Sequence, residues 1–236
     1  MTPEEAYEEA LRRIRKAEQT GAVELDLSGK PLECLTSIRS LNLANCRELS
    51  DLSPLAGLAS LKSLNLALCS NDLSLLQELI PRCDLSPLAG LISLQSLDLA
   101  NCGQLSGDLS PLEDLTSLQS LYLGYCWLLS GDLTPLASLT SLRSLDLSDC
   151  GGLSGDLSPL AGLTKLQSLN LDLCQRLSGD LSPLASLTSL QELHLKGCGP
   201  QRRLIPAGRI SPRSRRSISA GAAFVDLPRS NPCCPR

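Results

Sequence analysis

Leucine dominates the apolar positions of residues 22–198, and it recurs with a fixed set of spacings. In the middle of this region Leu97 and Leu99 flank Asp98, and this alternation predicts a short strand with the leucines on one face and the aspartate on the other. The leucines that follow are three or four residues apart, which predicts 3₁₀-like or irregular turns that keep facing inward. These leucines are Leu105, Leu109, Leu112, Leu115 and Leu118. Among them Ser110-Pro111 predicts a helical start, with the Ser110 hydroxyl at the N-cap and Pro111 at the first helical position.

The whole pattern repeats every 24 residues. The strand leucine recurs as Leu97, Leu121, Leu145, Leu169 and Leu193. A cysteine recurs at the same interval as Cys102, Cys126, Cys150, Cys174 and Cys198. One unit cannot bury so many leucines alone, whereas stacked units bury them between neighbours and pair their strands into one parallel sheet. The period therefore predicts a solenoid.

The repeat, with the pattern L-x-x-L-x-L-x-x-(N/C)-x-L, resembles the leucine-rich-repeat family. Asp-Leu-Ser-Pro-Leu followed by Leu-Thr-Ser-Leu is similar to internalin-type and other bacterial repeats. Residues 2–7 and 21–29 resemble the start of the repeat region in cyanobacterial Roco-type GTPase proteins. The resemblance implies an α/β leucine-rich-repeat solenoid with one parallel β-sheet on the concave face, 3₁₀ or irregular turns on the convex face, and an N-terminal capping helix.

Three segments follow from these patterns. Residues 1–21 form an amphipathic capping helix, with Thr2-Pro3 at its start and Gly21 at its end. Residues 22–198 form the solenoid, with an insertion at about 70–83, where the interval between strand leucines lengthens from 24 to 33 residues. Residues 199–236 are rich in Pro, Arg and Ser, which predicts disorder, although a patch such as 218–227 is available to dock on the end of the last repeat.

Charge and cysteine usage add to this organisation. Residues 1–198 hold 13 Lys and Arg against 24 Asp and Glu, whereas residues 199–236 hold eight Arg and one Asp. The repeated cysteines lie at one repeat position and not as Cys-x₂₋₄-Cys pairs, so we expect buried, reduced, structural thiols. Such thiols, together with an N-terminus unlike a signal peptide and no apolar run of about 20 residues, predict a cytoplasmic protein without a membrane span.

The sequence offers no recognisable catalytic centre. It contains no phosphate-binding loop, no H-E-x-x-H and no G-x-S-x-G, and it has one histidine. We therefore predict no enzymatic activity, no catalytic residues, no cofactor and no metal site. The recurrent aspartates before Leu-(Ser/Thr)-Pro are expected to accept hydrogen bonds from turn N–H groups rather than to bind a metal; they are Asp108, Asp132, Asp156 and Asp180. The basic tail lacks interleaved aromatics, so nucleic-acid binding is not favoured.

The outward side chains of the strands are the candidate partner-binding surface, because solenoids use their concave faces for binding. The candidate residues on the strands are Asp98, Tyr122, Asp146, Asn170 and His194. Tyr125 and Trp127 join them just beyond one strand, and three of the five Phe, Tyr and Trp residues of the chain thus fall within six positions. Tyr and Trp dominate binding hot spots, whereas the alternative is drift on a tolerant surface.

Two functions are compatible with these observations. The preferred hypothesis is a non-catalytic protein-interaction module that binds an unidentified protein on its concave face. The alternative, implied by the resemblance of the N-terminus, is a regulatory fragment of a Roco-like multidomain GTPase or kinase whose catalytic domains are absent from this chain.

Overall fold

The computed structural model describes residues 39–44, 52–68 and 83–198, together with Arg12 and the segment Ile218–Ser219. The predicted capping helix at 1–21, apart from Arg12, lies outside the described residues. So do the insertion up to residue 82 and all of the tail except Ile218–Ser219.

Within the described residues, eight strands form one parallel sheet in which spatial order follows chain order. Seven of them have three residues and come from successive repeats: β1 (Ser40–Asn42), β2 (Ser63–Asn65), β3 (Ser96–Asp98), β4 (Ser120–Tyr122), β5 (Ser144–Asp146), β6 (Ser168–Asn170) and β7 (Glu192–His194). The eighth, β8, is Ile218–Ser219. Each strand leucine pairs with its equivalent in the next repeat, for example Leu97 with Leu121 and Leu121 with Leu145. The predicted solenoid and its register are confirmed.

Leucine fills the interior almost alone. The central residue of each strand is buried, and so are the leucines of the following turns; Leu109, Leu112, Leu115 and Leu118 have no exposed surface. Two neighbouring repeats must supply this burial, because a strand of three residues has no other element to pack against. The buried leucines form one continuous cluster from Leu41 to Leu193.

The convex side consists of short 3₁₀ segments, as the leucine spacing predicted. They are Ser53–Leu55, Ser86–Leu88, Ser110–Leu112, Thr134–Ser138, Ser158–Gly162 and Ser182–Ser186. The predicted cap is wrong in one respect. Ser110 was expected to occupy the N-cap, but it is the first helical residue, Leu109 occupies the N-cap and no side chain caps it. Instead the Asp108 carboxylate accepts the N–H of Ser110 at 2.9 Å.

The segment β8 extends the sheet beyond the last repeat. Leu193 pairs with Ile218 and His194 with Ser219, in the parallel register of the other strands. A short part of the tail thus lies against the last repeat, where the sequence allows the patch 218–227 to dock. This pairing covers backbone groups of β7 that an edge strand would otherwise present.

The strand leucines generate a stability prediction. Leu145 is 1% exposed and lies between Leu121 and Leu169, so Leu145→Ala should lower the free energy of unfolding by about 2–5 kcal/mol. Leu193→Ala should cost less, because only the two-residue β8 follows it. Urea melts with exposed Thr140→Ala as the control measure both effects, and equal losses at Leu145 and Leu193 would contradict additive packing between neighbouring repeats.

Candidate interaction surface

The outward residues of the strands form one row, which we call the concave stripe: Asn42, Asn65, Asp98, Tyr122, Asp146, Asn170 and His194. Each is paired in register with the next along the sheet, so adjacent members are about 4.8 Å apart. From Asn65 to His194 they are half-buried. The structure therefore brings the five strand residues predicted from the sequence into one continuous row.

Most of the stripe also has a structural task. The side-chain oxygen of Asp98 accepts the N–H of Ala100 at 3.1 Å, and that of Asp146 accepts the N–H of Ser148 at 2.8 Å. Asn42, Asn65 and Asn170 make the equivalent bond. A short Asp or Asn side chain that bonds the backbone two residues on forms a turn of its own and ends the strand. These polar residues are thus explained in part by the fold.

Tyr122 departs from this rule. It occupies the same row between Asp98 and Asp146, but a phenol has no oxygen close enough to its own backbone to form such a turn. The residue two positions on is Gly124, which is buried against the Ser148 hydroxyl of the next repeat. His194 also lacks a short acceptor. At these two positions the side chain is not required by the turn that follows the strand.

A second row consists of the residues that lie three positions after each stripe residue from Asn65 onward. We call it the turn column, and its members are Leu68, Asn101, Tyr125, Asp149, Leu173 and Gly197. All six residues have positive φ angles, between 55° and 71°. From Leu68 to Leu173 each backbone N–H also donates to a carbonyl of the next repeat: that of Tyr125 bonds Ser148 and that of Leu173 bonds Lys196, both at 2.7 Å. The same backbone conformation therefore recurs along the column, whatever residue is present.

The residues of the turn column differ in what this conformation costs. Glycine adopts it freely and Asn or Asp tolerate it, whereas Leu and Tyr pay about 1–2 kcal/mol. Leu68, Tyr125 and Leu173 are 46%, 47% and 39% exposed, so burial does not offset that cost. The sequence pattern singles out Tyr125 but not the two leucines, although their alignment with Asn101, Asp149 and Gly197 is the sign by which they could be found.

Trp127 lies beside this column and is 44% exposed. Its six-membered ring lies over Gly103 of the preceding repeat, so closely that any Cβ at residue 103 would collide with it. Leu173 leans the other way, with its Cδ2 atom 2.7 Å from where a Cβ would stand on Gly197. Trp127 and Leu173 thus each contact a glycine of a neighbouring repeat while they stay 44% and 39% exposed.

Beneath the surface the repeated cysteines form a thiol ladder: Cys102, Cys126, Cys150, Cys174 and Cys198. Each thiol donates to a strand-end carbonyl of the preceding repeat, at 2.7–3.2 Å. All five are free, and the first four are buried. Burial raises the pKa of the Cys150 thiol to about 12 and that of Cys198 to about 11, and it also raises the pKa of Cys126 and Cys174. The predicted burial and structural role hold for Cys102, Cys126, Cys150 and Cys174, whereas Cys198 at the end of the ladder is half-buried.

The recurrent aspartates of the convex turns have the predicted structural role. Asp132 accepts the N–H of Thr134 at 2.9 Å, and Asp156 and Asp180 accept the equivalent N–H groups at the same distance. Hydrogen bonds from the backbone and the hydroxyl of Thr134 hold the pKa of Asp132 below its usual range. Among the described residues, no three His, Cys, Asp or Glu side chains come together in the arrangement of a metal site.

None of the helical segments in the described ranges reaches the length and hydrophobicity that a bilayer crossing requires. The described surface instead presents the concave stripe and the turn column, which run side by side along the solenoid. One repeat, that of β4, carries Tyr122 in the stripe, Tyr125 in the column and Trp127 beside the column.

Comparisons with known proteins agree with this architecture. Two family models match the chain, one for leucine-rich repeats in two copies at residues 92–138 and one for a single leucine-rich repeat at residues 138–156. No curated protein sequence matches the chain. The repeat family that the residue pattern suggested is thus found in the most regular part of the solenoid.

Solved structures extend the similarity over most of the chain. Internalin C2 from Listeria monocytogenes is 26% identical, with a TM-score of 0.55 over 89% of this chain and 92% of that one. An internalin from the same organism, InlF, is also 26% identical, with a TM-score of 0.45 over 80% of this chain and 56% of its own length. TLR13, solved in complex with ssRNA13, shares the fold at 23% identity and a TM-score of 0.50, over 73% of this chain and 24% of that one.

The Roco-type resemblance remains a prediction. It rests on the first thirty or so residues, which lie outside the described part of the chain except for Arg12.

The thiol ladder generates a pH prediction. Burial raises the pKa of Cys150 from an ordinary value of 9.0 to about 12, so above pH 9.0 the folded state keeps a proton that the unfolded chain releases. The stabilisation is therefore fully present below pH 9.0 and is lost as the pH rises toward 12. Between about pH 10 and pH 11 the free energy of unfolding should fall by about 1.4 kcal/mol per pH unit for this thiol.

Denaturant melts of the native chain and of Cys150→Asn measure this slope. Cys150→Asn should remain folded at pH 7, because an amide also donates a hydrogen bond, and its slope above pH 9 should be shallower. Cys150→Asp should be destabilised at pH 7, because it buries an unpaired charge. Identical slopes for the native chain and Cys150→Asn would show that this thiol stays exposed to ionisation.

Proposed function

Because this chain carries leucine-rich repeats and shares its fold with internalin C2, we propose that it is a non-catalytic interaction module that binds a partner protein on its concave face. Leucine-rich-repeat domains are typical of protein–protein interaction modules, which supports the general class. The specific surface consists of Tyr122, Tyr125 and Trp127 together with the stripe residues Asp98, Asp146, Asn170 and His194.

The observation that carries the proposal is the placement of the three aromatic side chains. Tyr122 replaces a turn-forming Asp or Asn, Tyr125 adopts an unfavourable backbone conformation while 47% exposed, and Trp127 is 44% exposed. Trp127 in addition covers Gly103 of the preceding repeat. Exposed Tyr and Trp bury large area on binding and lose little side-chain entropy, which makes them effective anchors for a partner.

Charge gives the surface a preference among partners. The row of the stripe places Asp98 and Asp146 on either side of Tyr122, at one strand spacing each. Asp149 and Asp172 follow in the next two repeats. A cationic partner surface would be attracted to these carboxylates during encounter, which raises the association rate more than the final affinity.

Location belongs to the same proposal. All six cysteines in the described ranges are free, and disulfides rarely form in the cytosol. We place the protein in the cytoplasm on this ground, with a cytoplasmic protein as its partner. Nothing in the surface calls for a cofactor.

A binding experiment tests the aromatic anchors. A partner captured from lysate is identified, purified and titrated against the native chain, Tyr122→Ala and Trp127→Ala. Each substitution should weaken binding by about 2 kcal/mol or more, because a central anchor is lost, and thermal melts should change little. Unchanged affinity in both variants, or extensive unfolding in either, would remove the site from consideration.

Asp146→Asn provides the electrostatic test, because asparagine keeps the hydrogen bond to Ser148 N and removes only the charge. It should lower the association rate and its dependence on salt concentration, and leave the dissociation rate nearly unchanged. Thr140→Ala, an exposed residue on the turn before β5, is the matched control and should change neither rate.

A further inference from the structure

The large side chains of the turn column are spaced regularly along the solenoid. Leu68, Tyr125 and Leu173 occupy every second repeat, while Asn101 and Asp149 occupy the repeats between them. The inter-repeat hydrogen bonds of this column continue the pairing of the sheet, so successive members are separated by about the strand spacing of 4.8 Å. The backbones at Leu68, Tyr125 and Leu173 therefore lie about 9.6 Å apart from one to the next.

That distance matches one extended backbone conformation better than another. A polyproline II helix rises about 3.1 Å per residue with three residues per turn, so side chains on one face recur every 9.3 Å. In a β-strand the side chains on one face recur every 6.6–6.8 Å, which does not match. Polyproline II segments also dock on surfaces lined by aromatic side chains.

The charges of the column favour a basic segment. Asp149 lies between Tyr125 and Leu173, and Asp146 stands on the adjacent strand. One cation opposes this at the far end, because the Lys196 carbonyl is bonded to Leu173 N and its side chain follows in the last repeat. Acidic character is thus concentrated around Tyr125 and Asp149.

We propose that the turn column, with Leu68, Tyr125 and Leu173 as three anchors and Trp127 beside the central one, binds a basic, proline-rich segment of a partner protein in the polyproline II conformation. The apolar side chain at every third position of that segment meets an anchor, and its Arg or Lys faces Asp149. This inference rests on the proposed function and names the kind of partner segment that the surface accepts.

Strain supports the choice of this column. Asn101, Asp149 and Gly197 show that residues suited to a positive φ are accepted at the position, yet three repeats carry Leu or Tyr that are neither buried nor suited to it. Strained residues of this kind concentrate at functional sites. Ile92 is also exposed, but it differs from these three residues. In the described repeats, no other residue at the repeat position of Ile92 has a large apolar side chain, so no regular alternation exists there.

The experiment uses the full chain and a synthetic peptide of four Leu-Pro-Arg units. Trp127 is the only tryptophan in the sequence, so its fluorescence reports directly on this surface. Titration should give a saturable change in emission. A peptide of Leu-Pro-Glu units should not bind, and a peptide of alternating Leu and Arg, which lacks the three-residue period, should bind at least tenfold more weakly.

Tyr125→Asn and Leu173→Asn are the decisive variants, because asparagine already occupies this position in the column as Asn101. Each should weaken peptide binding by at least about tenfold, with a melting temperature equal to or above that of the native chain. Ile92→Asn removes an exposed apolar side chain away from the column and should leave the affinity unchanged.

Native-like peptide affinity in both column variants would overturn the proposal, as would equal affinity for the Leu-Pro-Glu peptide. Concentration-dependent dimers that Tyr125→Asn abolishes would also overturn it, because a second copy of the chain would then be the occupant. Failure of the peptide alongside loss of partner binding in Tyr122→Ala would leave the interaction module standing and reject only the proline-rich segment. Peptide binding without any effect of Tyr122→Ala on the partner would support the proline-rich segment at the turn column and reject the aromatic site proposed for the concave face.

Discussion

The structure depends on the requirement that each leucine lie over its equivalent in the next repeat. A three-residue strand and a short 3₁₀ segment cannot bury seven leucines by themselves, so every repeat needs a neighbour at the strand spacing. The in-register pairs from Leu41–Leu64 to Leu169–Leu193 show that this condition holds across the described sheet, even where the interval along the chain lengthens to 33 residues. Backbone conformation, thiol hydrogen bonds and surface rows all follow from this register.

Buried thiols and surface aspartates are two solutions to the same problem of unpaired backbone groups. The repeat turns leave carbonyls inside and N–H groups outside, and each must be satisfied. Inside, a thiol such as Cys150 bonds the Leu123 carbonyl of the preceding repeat. Outside, a carboxylate such as Asp132 accepts the N–H of Thr134 in its own repeat. The chemical character of each repeat position therefore reflects which side of the leucine layer it lies on.

Much of this was predictable from the sequence, because a fixed period transmits the same constraint to every repeat. The strand register, the inward 3₁₀ turns, the buried thiols and the row of candidate residues on the strands follow from spacing alone. The cap of Ser110 was misplaced because Ser-Pro matches a helix start, while Asp108 is the side chain that bonds the turn. Leu68 and Leu173 escaped notice because they look like core leucines. They instead have a positive φ and lie on the surface, 46% and 39% exposed.

The turn column has a consequence for how such a protein can change. Six residues of four chemical kinds (Leu, Tyr, Asn or Asp, and Gly) share one backbone conformation with a positive φ, and the first five donate a main-chain hydrogen bond to the next repeat. A substitution at this position alters what the surface offers and leaves the leucine layer undisturbed. The surface side chains can therefore change one repeat at a time. Duplication of a whole repeat would shift the column residues that follow it by one strand spacing and leave the others in place. Side chains at this position can thus be exchanged while the spacing between repeats stays the same.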